Sequence, residues 1–376
     1  MSHRLLLVLS AAVAVLSAAA MLWLWPGAPA APDDGPSPLD DTEDARIVEV
    51  REEADEATRT GQRIDVVVEL KATGERERIV MYDDAGWDLR VGAPVEVALF
   101  DDGAGGETYQ IIDFRRGTPL LLLGVFFVAA VVAFAGWQGV RALGGLLFTL
   151  AAVGGYLIPA VAGGAPIIGA TAATAGLVLV VTLYLSHGLS LKTSAAVLGT
   201  AAAVALTGAL AHLFLTASFI TGITEPSSAI LAYEGVPLTG LLLAAIIIGA
   251  LGVLDDVTIS QAATVEALWD ANPELSRTEV VAGALKVGRD HVAATINTLF
   301  LAYTAAAMPL LLGVALASGW AELLLSEAFA IEVIRTLVGS IGLIAAVPAT
   351  TVLAAVVLDP RRRRAALPAH TGGVEA

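Results

Sequence analysis

The stretch Leu241-Leu-Leu-Ala-Ala-Ile-Ile-Ile-Gly-Ala-Leu-Gly-Val-Leu-Asp-Asp256 decides the fold, because a long apolar run drives straight into two adjacent carboxylates. At about 100° per residue on a helix, Gly249, Gly252, Asp256, Ser260 and Ala263 fall on one face. That spacing predicts a seam of small residues carrying a carboxylate and a hydroxyl, along which a second helix packs closely. An ionisable group beside such a seam marks a functional site by default. The competing reading is that Asp255 and Asp256 simply end a membrane span at the water edge, and this stretch alone leaves both open.

Working outward, the 376 residues are 56% hydrophobic and 15% charged, with several apolar runs of the roughly 18 residues or more needed to cross a bilayer as a helix. The fold class this predicts is an all-α polytopic membrane protein of about eight transmembrane helices, carrying a small all-β domain. Cysteine is absent, which excludes disulfides, zinc–thiolate sites and thiol nucleophiles. The net charge of −16 is concentrated: residues 32–116 hold 23 acidic against 10 basic side chains. Such a balance argues against nucleic acid as a partner, since phosphate binding needs a basic face.

His3 and Arg4 precede an apolar run from Leu5 to Trp25, which assigns residues 1–30 to an anchor or a signal peptide. At about 21 residues the run exceeds the usual 7–15 of a signal h-region, which favours an uncleaved helix. An acidic, proline-rich linker follows at 31–45. Over 46–116 the apolar period becomes two, in five short runs around Ile47, Ile64–Leu70, Ile79–Tyr82, Val95–Phe100 and Tyr109–Phe114, divided by Gly- and Asp-rich turns. This pattern predicts a small OB- or SH3-like barrel, with Trp87 in its core.

From 117 to 360 the chain is nearly continuous membrane-type sequence, with spans at about 119–137, 142–161, 166–186, 194–216, 238–254, 292–316 and 331–357 after the first. Arg4, Arg141, Lys192, Arg277, Lys286, Arg289 and the basic tail 361–376 fall on one side; the opposite short loops carry only glutamates. By the positive-inside rule both termini are cytoplasmic, the β-domain is extracytoplasmic, and the location is the inner or plasma membrane. Gly144, Gly145, Gly154, Gly155, Gly169 and Gly176 predict tight packing of the third and fourth spans, and Thr149, Thr171 and Thr174 are expected to bond their own helix backbone. His212 reads as an interface residue.

The polar residues cluster in the C-terminal half. Ser276 and Glu279 form a capping-box pattern that starts a helix feeding Gly288-Arg-Asp-His291. Along the seventh span His291, Thr295 and Thr298 share one face, and Asp290, Asn297 and Thr304 a neighbouring one. In the eighth, Glu332 and Arg335 stand three apart and can neutralise each other, while Pro348 weakens the helix midway. Candidate residues for a transport path are therefore Asp255, Asp256, Ser260, Gln261, Asp290, His291, Asn297, Thr298, Tyr303, Thr304, Glu332 and Arg335. An intramembrane aspartyl enzyme would need two facing carboxylates, whereas Asp255 and Asp256 are about 100° apart. A metal site on Asp256 and His291 lacks further ligands at helical spacing. No catalytic role, cofactor or metal is expected.

Four blocks carry a resemblance: Gly249-Ala-Leu-Gly-Val-Leu-Asp-Asp-Val-Thr-Ile-Ser-Gln261, Gly288-Arg-Asp-His291, Asn297-Thr-Leu-Phe-Leu-Ala-Tyr303 and Arg335-Thr-Leu-Val-Gly-Ser-Ile-Gly-Leu343. In this order they resemble the YibE/F-like family of multi-pass membrane proteins, over nearly the whole chain. The resemblance implies architecture and a role in moving a solute across the membrane. Two functions follow as expectations. One is a secondary transporter or exporter whose path is lined by Asp256, His291 and Asn297. The other is a non-transporting scaffold or envelope sensor whose β-domain binds an envelope partner. The expected partners are the lipid bilayer and an unidentified solute.

Overall fold

The computed structural model describes residues 3–25, 42–53, 62–83, 87–101, 107–224 and 226–360. The acidic linker up to residue 41, the turn at 84–86, the loop at 102–106 and the basic tail 361–376 lie outside the described residues.

After helix α1 (His3–Trp23) come five strands, β1 (Thr42–Glu53), β2 (Gln62–Leu70), β3 (Arg76–Asp83), β4 (Pro94–Asp101) and β5 (Glu107–Phe114). All pair antiparallel, in the order β3-β2-β1-β4-β5, and the edge strands β3 and β5 approach one another. The period-two pattern explains the sheet: alternate residues Ala45, Ile47, Ile64, Val66, Val68, Ile79, Val95, Val97 and Ile111 are buried in one core. Complete burial of such a side chain contributes about 1.5–3 kcal/mol. Trp87 packs at its margin, 5.6 Å from the Phe114 ring. β1 begins at Thr42, four residues before the expected domain boundary, and a register shift between Ile47 and Glu49 bends it.

The helices are α2 (Gly117–Ala152), a π-helical turn Val153–Leu157, α3 (Ile158–Ala162), α4 (Ile167–His187), α5 (Leu191–Ala217), α6 (Pro226–Tyr233), α7 (Leu238–Ala271), α8 (Arg277–Ser318), α9 (Trp320–Leu325) and α10 (Glu327–Val357). Among the described residues seven helices are long and apolar enough to cross a membrane. The second and third expected spans form one helical run of 46 residues, Gly117–Ala162, without the loop expected around Arg141. Straight, it would be roughly 69 Å long, more than twice a bilayer's hydrocarbon core. It breaks at Gly136, whose φ of 55° and ψ of −133° only glycine adopts readily. The sheet with the helical arm to Phe134 forms one compact unit, and α1 with the remaining helices the other.

In the helical unit α5 is central, packing on α7 and α10 as well as α4 and α1. Close approach comes from glycines that face hydroxyls: Gly199 lies against Thr350, and Gly342 against Thr207. Thr200 and Thr258 meet at 2.5 Å between α5 and α7, both fully buried. Tyr184 joins three helices, its hydroxyl 2.7 Å from Ser10 and 2.8 Å from Ser194. Gly144, Gly145, Gly169 and Gly176 are packing positions, but an ideal Cβ on Gly154 or Gly155 would meet nothing within 4 Å, since they lie in the π turn and not on a helix seam. Thr149 and Thr174 donate to the carbonyls of Gly145 and Ala170 as expected; the buried Thr171 hydroxyl has no partner among the described residues. Lys192 pairs with Glu266 at 2.8 Å and Arg277 with Asp359 at 2.6 Å, fastening helix ends together.

In the β-unit Asp44 meets Lys71 at 3.1 Å and Arg115 at 2.6 Å. The Lys71 hydrogen bond, with help from Arg115, holds its carboxyl below the usual carboxylate range. A depressed carboxylate stabilises the fold above its unfolded pKa and loses that contribution as pH falls through the folded value. Residues 42–116 expressed alone should give a β-type circular dichroism spectrum and a cooperative melt at pH 6, with the melting temperature falling below about pH 4. Asp44→Asn should blunt that acid-induced fall. A disordered spectrum, or an identical acid profile for the variant, would contradict this.

Candidate functional site

The capping box at the start of α8 forms as its sequence dictates: the Ser276 hydroxyl accepts from the Glu279 amide, and Glu279 accepts from the Ser276 amide at 2.8 Å. This fixes where α8 begins and hence where its polar residues stand. At the other end of the unit, Glu327 in the first turn of α10 accepts from the amides of Thr221 at 2.8 Å and Gly222 at 2.5 Å. The clasp closes the loop after α5 over α10. Gly222 is required there, with φ of 86° and an ideal Cβ only 2.6 Å from Leu238. The sequence pattern predicts a loop at Glu327, and the Thr-Gly pair opposite it carries no periodic signal that would reveal the contact.

Beneath this clasp lies a cavity of about 560 Å³ bounded by α6, α7, α8 and α10. Its walls are mostly leucine and alanine, and its charged members are Glu332 and Arg335. Arg335 Nη1 donates to both Glu332 oxygens, at 3.0 and 3.2 Å, and the two side chains are only 22% and 14% exposed. The spacing of three on α10 places them on one face, and the pairing expected from the sequence is present. The Arg335 guanidinium also lies 5.8 Å over the Tyr303 ring of α8, a cation–π contact. Thr304 and Glu332 share a second, smaller cavity of about 200 Å³. Tyr303, Thr304, Glu332 and Arg335 are thus gathered together.

The small-residue face of α7 behaves differently from the expected seam. Gly249, Gly252 and Asp256 are exposed, and the buried side is Leu243, Ile246, Ala250, Leu254, Val257 and Gln261. An ideal Cβ at Gly252 would meet nothing within 4 Å. The reason is the hydrophobic effect: the opposite stripe of Leu, Ile and Val has far more apolar area to hide, so it sets the rotation of the helix. The same rotation half-buries Asp255 and exposes Asp256. Ala245, Gly249, Gly252 and Asp256 make one exposed face whose Ala245 end lines the larger cavity, roughly 16 Å of helix. Across it from α8, the Tyr303 hydroxyl lies 3.3 Å from where a Gly249 Cβ would be.

The other expected residues are not drawn into the cavity. Asp290, His291, Asn297 and Thr298 are exposed along α8, and Ser260 is half-buried on α7. Among the described residues no hydrogen bond or ion pair joins the side chains of Asp256, His291 and Asn297. No group of three His, Cys, Asp or Glu there is placed to hold a metal ion. His212 borders a separate, apolar cavity of about 490 Å³ between α1, α4, α5 and α7. Gln261 is a helix pin: 4% exposed, its Nε2 donates to the Ala284 carbonyl at 2.8 Å and to the Thr351 hydroxyl at 2.7 Å.

A family model described as YibE/F-like protein matches residues 123–360. The match takes in every helix that borders the larger cavity; α1 and the sheet lie outside it. No curated protein and no solved structure matches the chain.

The Gln261 pin yields a direct test. An ideal Cβ on Gly288 would stand 2.6 Å from Val347 Cγ1 and 2.8 Å from Gln261 Oε1. Gln261 is tethered at both hydrogen bonds and cannot withdraw freely. Gly288→Ala should destabilise the protein by about 1–3 kcal/mol, the usual cost of overpacking, read as a lowered melting temperature in detergent. An unchanged melt would show that α8 is free to shift away from α7 and α10.

Proposed function

The chain belongs to the YibE/F-like family, and from that premise we propose that it is a multi-pass membrane protein that exports a small solute as a secondary transporter. Seven long apolar helices support the membrane setting, as do the many exposed leucines, valines and phenylalanines that a lipid phase would cover. Gly136 divides the 46-residue run into two arms, which supports eight crossings, and the one-sided arginines and lysines support cytoplasmic termini with the β-unit outside. The strand order and the approach of β3 to β5 support an OB-like, partly open barrel.

The observation that carries the transport reading is the half-buried Glu332–Arg335 pair in the wall of a cavity among apolar helices. Charges at membrane depth are costly and face bundle interiors or wet cavities. The pair stands in the first turns of the expected span 331–357, at one end of the bundle, and polar sites between helices are where secondary transporters bind their cargo. We read the exposed face of α7, from Ala245 to Asp256, as the continuation of the path toward the cytoplasm, with Tyr303 across its middle. Asp256, His291 and Asn297 would then flank its inner mouth, where water satisfies side chains that find no hydrogen-bond partner among the described residues. The compact β-unit supports the second reading, a scaffold or sensor that binds an envelope partner without moving a solute.

The cysteine-free chain makes the two readings separable. A membrane-impermeant maleimide added outside reconstituted vesicles should label Ala245→Cys and Ala306→Cys, which border the cavity, but not the buried Ala250→Cys. Vesicles loaded with a whole-cell small-molecule extract and followed by mass spectrometry should release at least one compound through the wild type that Glu332→Gln retains. No labelling together with release equal to protein-free vesicles would sink the transporter and leave the scaffold.

A further inference from the structure

The apolar cavity between α1, α4, α5 and α7 lies apart from the Glu332–Arg335 pair and has its own shape. On α4 its lining runs from Ile168, one residue past the helix start, to Leu179, and on α5 from His212 back to Ala201. Either stretch is roughly 16 Å of helix, about half the thickness of a bilayer's hydrocarbon core. Both begin at one end of the bundle: Ile167 at the start of α4 stands against Gly240 on α7, and Leu215 near the end of α5 clusters with Leu243 on that same helix. The cavity therefore spans a single leaflet.

Its width narrows the choice of occupant. A volume of about 490 Å³ over that length gives a mean cross-section of roughly 30 Å². A helix is 10–12 Å across with its side chains and needs about 80 Å² or more, so no helix can enter. An extended hydrocarbon chain, whose carbons approach their neighbours to about 4 Å, needs roughly 15–20 Å². Of the lining residues only Ser17 and His212 carry polar side chains, so water finds too few partners to fill the space. Left empty, the buried floor of Ala175, Leu179 and Leu251 would forfeit dispersion contacts on one side. The mouth, formed by Ile168, Ala172, Ala205 and Ala209, is exposed and continuous with the exposed Leu206 and Leu213 of α5, which a lipid phase would cover. At the end nearest the close of α5, the exposed His212 imidazole has no hydrogen-bond partner among the described residues. Its N–H can meet an ester or phosphate oxygen, which gives the cavity a direction.

We propose that this cavity holds one acyl chain of a membrane phospholipid, with the glycerol end at His212 and the methyl end between Leu179, Ala201 and Leu251. The inference needs only a bilayer around the helices and is independent of the transport reading.

The test uses the full chain in nanodiscs of zwitterionic phospholipid doped with one of two phosphatidylcholines, whose photoreactive diazirine sits near either the carboxyl end or the methyl end of one chain. Crosslinks are located by mass spectrometry of the digested protein. The methyl-end probe should label segments 175–179, 201–204 and 247–251 at least fivefold more than residues 124–132 in the exposed arm of α2. The carboxyl-end probe should shift the labelling toward 168–172 and 208–212. A fluid lipid annulus would label the exposed arm as much as the buried floor or more; that pattern, or the two probes labelling in the reverse order, would overturn the proposal. Ala205→Phe places a ring across the mouth and should lower floor labelling about fivefold with the melting temperature retained. Should that variant fail to fold, Ala209→Phe blocks the mouth nearer the end of α5. A folded blocked variant with undiminished floor labelling would equally overturn it.

Discussion

A charged side chain set among apolar helices must find a counter-charge, and on α10 Glu332 and Arg335 satisfy that demand within a single turn. The arrangement around them depends on this pairing. The guanidinium stands 5.8 Å from the Tyr303 ring of α8, which packs on α10, and the leucines of α7 form the far wall of the cavity. Removing one partner of a buried pair commonly costs about 3–5 kcal/mol. With 22% and 14% of the side chains still exposed, solvent screening reduces that figure here. Desolvation of both charges offsets much of their attraction, so the pair is weak evidence for a staple and is better explained by the space it borders.

Away from the cavity the helices are locked by a different chemistry. Gly199 against Thr350, Gly342 against Thr207 and the Thr200–Thr258 contact bring α5, α7 and α10 together without large side chains. Gln261 adds α8 through two hydrogen bonds. This core offers a rigid frame on one side of α7. The opposite face of the same helix, Ala245 to Asp256, is open.

Much of this was legible in the sequence. The long apolar runs, the five alternating strands, the Ser276 capping box and the Glu332–Arg335 spacing each rest on a local rule, and the structure contains all four. What failed was rotation. The 3.6-residue period correctly gathered Gly249, Gly252 and Asp256 on one face but could not say whether that face packs or opens. Leucine and isoleucine on the other side decided it, because burial energy follows apolar area and not the smallness of residues. The cavity was invisible for a related reason: it is made by α6, α7, α8 and α10 together, and by a clasp from Glu327 to the loop after α5. No window of sequence contains those partners side by side. The short link expected around Arg141 was also absent, its role taken by Gly136, whose positive φ breaks the helical run.

The central claim is that the Glu332–Arg335 pair serves a path and is more than a bridge along α10. The charge-swapped variant Glu332→Arg/Arg335→Glu tests it most directly, because an (i, i+3) ion pair can re-form with its ends exchanged while the cavity then presents its charges in inverted order. Melting temperature and extract release are measured on the same reconstituted preparation. The account predicts a melting temperature within a few degrees of the wild type and release reduced to that of protein-free vesicles. Restored release alongside restored stability would mean that only the bridge matters, and would contradict the path.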